Sequence, residues 1–294
     1  MLCKKPFRPG LNAYGCGQCM PCRVVRNKTW AHRMILEAHK HADSVFLTVT
    51  YNDKFLPENN SLVPNDLTNF IKRLRRRLGA KSLRYYACGE YGSGQERPHY
   101  HLALFGVGRH HEEDIQKAWT CPDSKESKGF VYIGDLTLDS AQYIASYIQK
   151  GKTKSDQFQD GRHPEFSRMS RRPGIGALIL PDLVDSLTSD TGADLILEHG
   201  DVPIALNHGR RSLPLGRYLR RKLREQIGLD EDQIKKNLSE KKMYEMQTLL
   251  IEDEALARTP QERADVRRQR FQEKQQKIRN LESRIKARTK GGIL

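Results

Sequence analysis

The stretch CGEYGSGQERPHYHLALFG, residues 88–106, reads as two strands joined by a short turn. The runs SLRYYACGEYG (82–92) and PHYHLALFG (98–106) are rich in aromatic and apolar residues, and the Gly-bearing segment between them fits a hairpin. On the second strand His99 and His101 are two residues apart, so both imidazoles project from one face. A tight turn puts Glu90 roughly opposite His99 on that same face. Two imidazoles and a carboxylate with open positions left form a divalent-metal site of the catalytic type. Such a set suits Mn²⁺ or Mg²⁺ acting on a phosphate as a Lewis acid, with zinc chemically possible. A His-x-His alone is also a common surface or core feature, so the hairpin requires a second constellation.

That constellation is QYIASYIQKG, within a helix expected over 139–151, with Asp139 or Ser140 as its cap and Gly151 at its end. Tyr143, Tyr147 and Lys150 fall at i, i+4 and i+7 and share one stripe, while Ala141, Ile144, Ala145 and Ile148 face other sides. The ordinary use of such tyrosines is half-buried packing. A phenol is nevertheless a competent nucleophile when a metal polarises the phosphate it attacks. A lysine one turn away can neutralise the charge that develops there.

Outward from these two segments the pattern alternates. Helices are expected at 27–41, 65–79 and 111–119, and strands at 44–52 and 129–136. Leu67, Phe70, Ile71, Leu74 and Leu78 keep the helical period, with Asn65 or Asp66 as cap and Gly79 as stop. The opposite face of that helix carries Lys72, Arg73, Arg75, Arg76 and Arg77 with no interleaved acid, which marks a face for DNA phosphates. Short hairpin connections mixed with helices give an α+β fold, a central antiparallel sheet flanked by helices. Beyond residue 175 a basic amphipathic helix is expected at 214–228. Thr259-Pro260-Gln261-Glu262 has the form of a capping box opening a long helix. In that helix Val266, Phe271, Ile278, Leu281 and Ile285 make only a ragged seam, a poor coiled coil.

The 294 residues carry 51 Lys+Arg against 36 Asp+Glu, a formal charge of +15, which points to a polyanionic partner, nucleic acid before membrane. No apolar run is long enough to span a bilayer. The start MLCKKPFRPG lacks the apolar stretch of a signal peptide, so an intracellular protein is expected. In a reducing compartment the six cysteines do not pair as disulfides. Cys16, Cys19 and Cys22 cluster in CGQCMPC, and Cys3 is the natural fourth ligand of a structural Zn²⁺ site. The alternatives are a metal-free Cys-rich turn and an iron–sulfur cluster.

Taken in order, FLTVTYN, RPHYHLALFG and YIASYIQK resemble the three motifs of HUH endonucleases, the rolling-circle replication initiators. The Cys-rich start, CGEYG and the Y-x-x-x-Y-x-x-K pattern resemble the initiators of small single-stranded DNA phages, the gokushovirus branch of the microviruses. The resemblance covers about residues 14–175 and, more loosely, the basic segment to about 228. It implies an HUH-endonuclease fold with a basic helical C-terminal extension. The chain then divides into a Cys-rich segment 1–26, an HUH domain 27–175, a basic extension 176–230 and a charged, mainly helical tail 231–294. It also implies roles. His99, His101 and Glu90 would be metal ligands, with Glu96 in the turn as a rival to Glu90. Tyr143 and Tyr147 would be nucleophiles and Lys150 the auxiliary cation. The implied chemistry is site-specific nicking and rejoining of phage DNA, single-stranded and replicative-form, through a 5′-phosphotyrosine, in the cytoplasm of a bacterial host. The Cys cluster lies outside the HUH motifs and takes no role from the resemblance.

GKT at 151–153 hints at a P-loop, but the position five before Gly151 is Ser146 where the motif needs glycine. No nucleotide cofactor is therefore expected, and unwinding and synthesis would fall to a host helicase and DNA polymerase. Two rivals remain: an HUH transposase or plasmid initiator, and a non-catalytic nucleic-acid-binding protein built on the Cys loop and basic helices.

Overall fold

The computed structural model describes residues 2–9, 13–79, 83–92, 96–147, 161–257 and 259–290. The chain divides into two compact units, Asn27–Leu180 and the combination of Met1–Arg26 with Pro181–Leu294. The secondary structure of the first runs α1 (Met20–Ala38, beginning ahead of the unit boundary), β1 (Ser44–Thr50), α2 (Pro64–Arg77), β2 (Arg84–Tyr91), β3 (Pro98–Phe105), α3 (Glu112–Ala118), β4 (Val131–Asp135), α4 (Leu138–Tyr147) and β5 (Phe166–Met169).

Among the described residues five strands form one antiparallel sheet in the order β4-β1-β3-β2-β5. The expected α+β architecture is thus present, and the strand carrying His99 and His101 is central. Each sheet face has its own core, as the period-2 alternation of the strands requires. On one face Val45, Leu47, Val49, Leu102 and Leu104 pack with Leu67, Phe70, Ile71 and Leu74 of α2 and with Trp119 just after α3. On the other, Phe46, Tyr86, Cys88, Ala103 and Phe105 pack with Ala31 and Met34 of α1 and with Ala141, Ile144 and Ala145 of α4. The second face is the one shared by Glu90, His99 and His101.

Three helix starts differ from expectation. α1 begins at Met20 rather than 27, with Pro21 in its first turn, where a missing N–H costs no bond. α2 begins at Pro64, and neither Asn65 nor Asp66 caps it; Val63 precedes it without a side-chain cap. Asp66 instead accepts from the Tyr51 hydroxyl at 2.7 Å and pairs with Lys128 at 2.7 Å. At α4 neither Asp139 nor Ser140 is the N-cap. Thr137 and Ser140 exchange bonds, Ser140 N donating to Thr137 Oγ1 at 3.2 Å and Thr137 N to Ser140 Oγ at 2.8 Å. The expected end of this helix at Gly151 lies outside the described residues.

A buried ion pair closes the back of the α1 face. Glu37, fully buried on α1, pairs with Arg84 at the start of β2 and accepts from Gly176 N at 2.6 Å.

In the other unit, α5 (Leu180–Leu187) and α6 (Asp190–His199) precede a hairpin of β6 (Ala205–His208) and β7 (Arg211–Pro214), followed by α7 (Gly216–Ile227), α8 (Glu231–Leu256) and α9 (Pro260–Lys290). The basic helix expected at 214–228 is α7, and it ends on Gly228. Buried Asp201 accepts from Arg224 Nε at 2.7 Å and also pairs with Arg220, which holds α7 against the segment before β6. The capping box at Thr259 forms as read: Thr259 N donates to Glu262 Oε2 at 3.0 Å and Glu262 N to Thr259 Oγ1 at 3.2 Å. The α9 seam is incomplete, with Ile278 buried and Phe271 exposed. No helix is long and apolar enough to cross a membrane among the described residues.

Candidate active site

Register fixes the site first. On β2 and β3, Glu90 pairs with His99 and Cys88 with His101; on β1, Thr48 pairs with His101 and Thr50 with His99. All six side chains therefore belong to one face. The two imidazoles are nearly parallel, 6° between planes and 6.3 Å between centroids.

Hydrogen bonds fix the tautomers. His99 Nδ1 lies 2.7 Å from the Arg97 carbonyl oxygen. A carbonyl only accepts, so Nδ1 carries the proton and Nε2 keeps its lone pair. Among the described residues Nε2 of His99 makes no hydrogen bond. Gly92 admits this ring: a Cβ there would stand 2.8 Å from His99 Cε1. His101 Nε2 lies 2.8 Å from Glu90 Oε1, and its Nδ1 lies 2.8 Å from Thr48 Oγ1. An ionised Glu90 accepts from Nε2–H, which leaves Nδ1 to accept from the Thr48 hydroxyl. A hydroxyl also accepts, so Thr48 can equally hold the opposite tautomer, with Nε2 bare.

These donors fit a divalent cation in kind: two imidazole nitrogens and a carboxylate, one nitrogen already free, the other held beside the carboxylate. They are neighbours rather than a closed cage, since their ligand atoms do not all fall within 4.8 Å of one another. Glu96 takes no part. It pairs with Arg162 at 3.0 Å.

Helix α4 brings both tyrosines to this group. The Tyr147 ring stacks on His101 with centroids 4.9 Å apart and 11° between planes; Tyr143 meets the same imidazole edge-on at 5.2 Å. The two phenol rings are 4.7 Å apart and perpendicular. Tyr147, Glu90 and His101 are buried, whereas Tyr143 and His99 are half-exposed, so the group opens to solvent on their side. Burial pushes both phenols above the ordinary tyrosine range. At Tyr147 its hydrogen bond with Tyr143 and the charge of Glu90 add to this, and at Tyr143 the Glu90 charge does the same. Lys150 lies outside the described residues.

Residues 44–152 match the family model of replication-associated proteins of the ORF2 type, a span running from β1 through the histidine hairpin to just past α4. The chain is similar to the replication-associated proteins of microviruses. It is 36% identical over 177 residues to the replication-associated protein ORF2 of Spiroplasma virus 4, covering 55% of each chain. It is 29% identical over 210 residues to the replication-associated protein VP4 of Bdellovibrio phage phiMH2K, covering 60% of this chain and 66% of that one. A third relative, the replication-associated protein ORF4 of Chlamydia phage 1, is 29% identical over 150 residues, 46% of this chain and 37% of that one. The matched region thus spans roughly half the length of these curated relatives. No solved structure matches.

The basic face of α2 is smaller than its sequence implies. Arg73 Nε donates to the Ala118 carbonyl at 2.8 Å, Arg75 Nη2 to the Leu83 carbonyl at 2.9 Å, and Arg77 pairs with Asp114 at 3.0 Å. Those three cations hold α2 to its neighbours. Lys72 and Arg76 are exposed and form no ion pair among the described residues.

The four N-terminal thiols do come together: the Sγ atoms of Cys3, Cys16, Cys19 and Cys22 all lie within 4.8 Å of one another. Sequence reading missed Thr48 and the Arg97 carbonyl, which set the histidine tautomers. The alternation of β1 placed Thr48 on the right face, but only the strand register shows it beside His101.

Proposed function

We propose that this protein is a replication initiator for the DNA of a small phage, acting as a metal-dependent single-strand endonuclease and joining enzyme in a bacterial host. The single observation that carries the reading is the contact of two tyrosine rings with the imidazole of His101, itself bonded to Glu90. A packing role for one tyrosine is ordinary. Two phenols and a two-histidine, one-carboxylate group on one open face have the chemistry of phosphoryl transfer to tyrosine. The similarity to microvirus replication-associated proteins supports phage DNA as the substrate.

His99, His101 and Glu90 would hold a divalent cation, Mg²⁺ or Mn²⁺, which when bound polarises the scissile phosphate. The rest of the chemistry belongs to the chain. Both phenols are held protonated before attack, so the nucleophile gives up its proton as its Oη approaches phosphorus. For Tyr147 the hydrogen-bonded Glu90 carboxylate is the proton acceptor at hand. The Oη–P bond forms, the bond from phosphorus to the 3′ oxygen breaks, and that oxygen leaves as a 3′-OH after taking up a proton. The product is a 5′-phosphotyrosine. Attack by a 3′-OH on that linkage restores a phosphodiester without ATP. Lys150 would neutralise charge on the phosphate, and Lys72 and Arg76 would hold the strand. Strand separation and synthesis would come from the host helicase and polymerase.

The test is incubation of the full chain with end-labelled single-stranded DNA from an origin library and Mn²⁺, followed by a denaturing gel. A covalent protein–DNA band that disappears in the His99→Ala/His101→Ala double variant is expected, with native-gel retention of DNA nearly unchanged. Retention without any covalent band in the wild type favours the non-catalytic binding protein.

A further inference from the structure

We propose that Cys3, Cys16, Cys19 and Cys22 hold one Zn²⁺ ion in a closed structural site that pins the N-terminal arm to the start of α1. Four thiolates bound tetrahedrally at about 2.3 Å stand about 3.8 Å from one another. Cys19 Sγ and Cys3 Sγ are 3.8 Å apart, and all four sulfurs lie within 4.8 Å of each other. All four are free thiols. Soft sulfur ligands in a set of four, with no position left for water, select zinc in a structural role.

The backbone is arranged around the sulfurs as a metal knuckle requires. Cys16 N donates to Cys3 Sγ at 3.3 Å and Cys19 N donates to Cys16 Sγ at 3.3 Å. Such N–H groups stabilise thiolates and orient them as ligands. Gly17 sits at φ +75°, the left-handed conformation that lets the chain turn between Cys16 and Cys19. Its carbonyl accepts from Arg26 Nη2 at 3.1 Å, which sets a cation beside the turn of a site whose net charge would be −2. Cys3 is brought back to Cys16 by a β-bridge in which Phe7 N donates to Tyr14 O at 2.9 Å and Tyr14 N to Phe7 O at 2.7 Å.

Apolar burial does not hold this arm. Phe7 and Tyr14, its two aromatic rings, are 67% and 55% exposed, and Cys3 is its one buried residue among those described before α1. A short segment without a core needs another fastening, and a metal clip supplies it. The site is independent of the tyrosine–histidine group and does not rest on the nickase reading.

The decisive measurement is elemental analysis of the full-length protein purified under reducing conditions without chelator. About one zinc per chain is expected. Cys19→Ser should lose it, whereas Cys121→Ser, a thiol outside the cluster, should keep it. The outcome does not depend on the variant folding, because wild-type protein loaded with Co²⁺ should show the thiolate charge-transfer and tetrahedral d–d absorption of an S₄ site. Chelation should raise tryptic cleavage at Lys4, Lys5 and Arg8 by about tenfold or more, as the arm opens. Wild-type protein without zinc overturns the proposal, and so does iron in its place, or a disulfide among the four cysteines found by mass spectrometry.

Discussion

The ring of Tyr147 lies flat against the ring of His101, 4.9 Å between centroids, while Tyr143 touches the same imidazole with its edge. Either phenol is thus within a small shift of one phosphate held at the histidines. Substitution by Phe keeps both ring contacts and removes only the nucleophile. Tyr143→Phe and Tyr147→Phe singly should each leave some covalent DNA adduct, and the double variant none. Peptide mapping of the adduct by mass spectrometry decides it. An adduct confined to one tyrosine in wild type and in both single variants would make this a single-nucleophile enzyme and the other ring packing.

Thr48 is expected to control metal affinity without touching metal. When His101 Nε2 is a ligand, Nδ1 must carry the proton, and the Thr48 hydroxyl 2.8 Å away is its acceptor. Thr48→Val keeps the strand's β-branched shape and removes that acceptor. The Mn²⁺ concentration for half-maximal adduct formation should rise about 10- to 100-fold, with little change in Tm. An unchanged Mn²⁺ requirement would reduce Thr48 to a packing residue.

On α2 the five cations should separate by role. Lys72→Gln with Arg76→Gln should weaken DNA binding and lower the slope of log K against log salt by up to about 2, leaving Tm nearly unchanged. Arg73→Gln, which loses its bond to the Ala118 carbonyl, should instead lower Tm. A salt slope that does not move in the double variant would show that these two side chains face bulk solvent.

The difference between those five residues shows what could be read in the sequence and what could not. Residues 98–105 and 65–78 carry local periodicities strong enough to name a strand and a helix, and both formed within a residue or two. The antiparallel pairing of Glu90 with His99 followed from one short turn. The partners of Arg73 and Arg75 lie 45 and 8 residues away as backbone carbonyls, which no residue type announces. β5, β6 and β7 are four-residue strands and mostly half-buried or exposed, too short and too mixed to alternate visibly. The first turns of α1 are polar on most sides, so they lack the apolar stripe that marked residues after 27. The imidazole tautomers depend on Thr48 and the Arg97 carbonyl, contacts made only by the folded sheet.

Alkali should unfold the sheet domain through its buried phenols. Burial lifts Tyr51 and Tyr86 well above the ordinary value near 10 and pushes Tyr100 up to about 12. Below pH 10 both folded and unfolded chains hold these protons and stability is independent of them. Above pH 10 the unfolded chain releases protons that the folded chain keeps, so each phenol lowers stability by up to about 1.4 kcal/mol per pH unit until its folded pKa is passed. Three such groups together approach the whole stability of a typical domain within about two to three pH units. Tyrosinate absorbance should therefore rise in two phases, exposed tyrosines near pH 10 and buried ones later, together with loss of the circular dichroism signal. Tyr86 gives the sharper test, because its hydroxyl is buried without a well-formed hydrogen bond among the described residues, the Ser167 side chain being its polar neighbour. Tyr86→Phe removes both a poorly satisfied hydroxyl and a titrating group. It should stabilise the protein at pH 7 by about 1–3 kcal/mol and move the alkaline midpoint upward. A single absorbance phase near pH 10 with the dichroism intact would mean that these phenols are solvated and that the sheet core is looser than its packing shows.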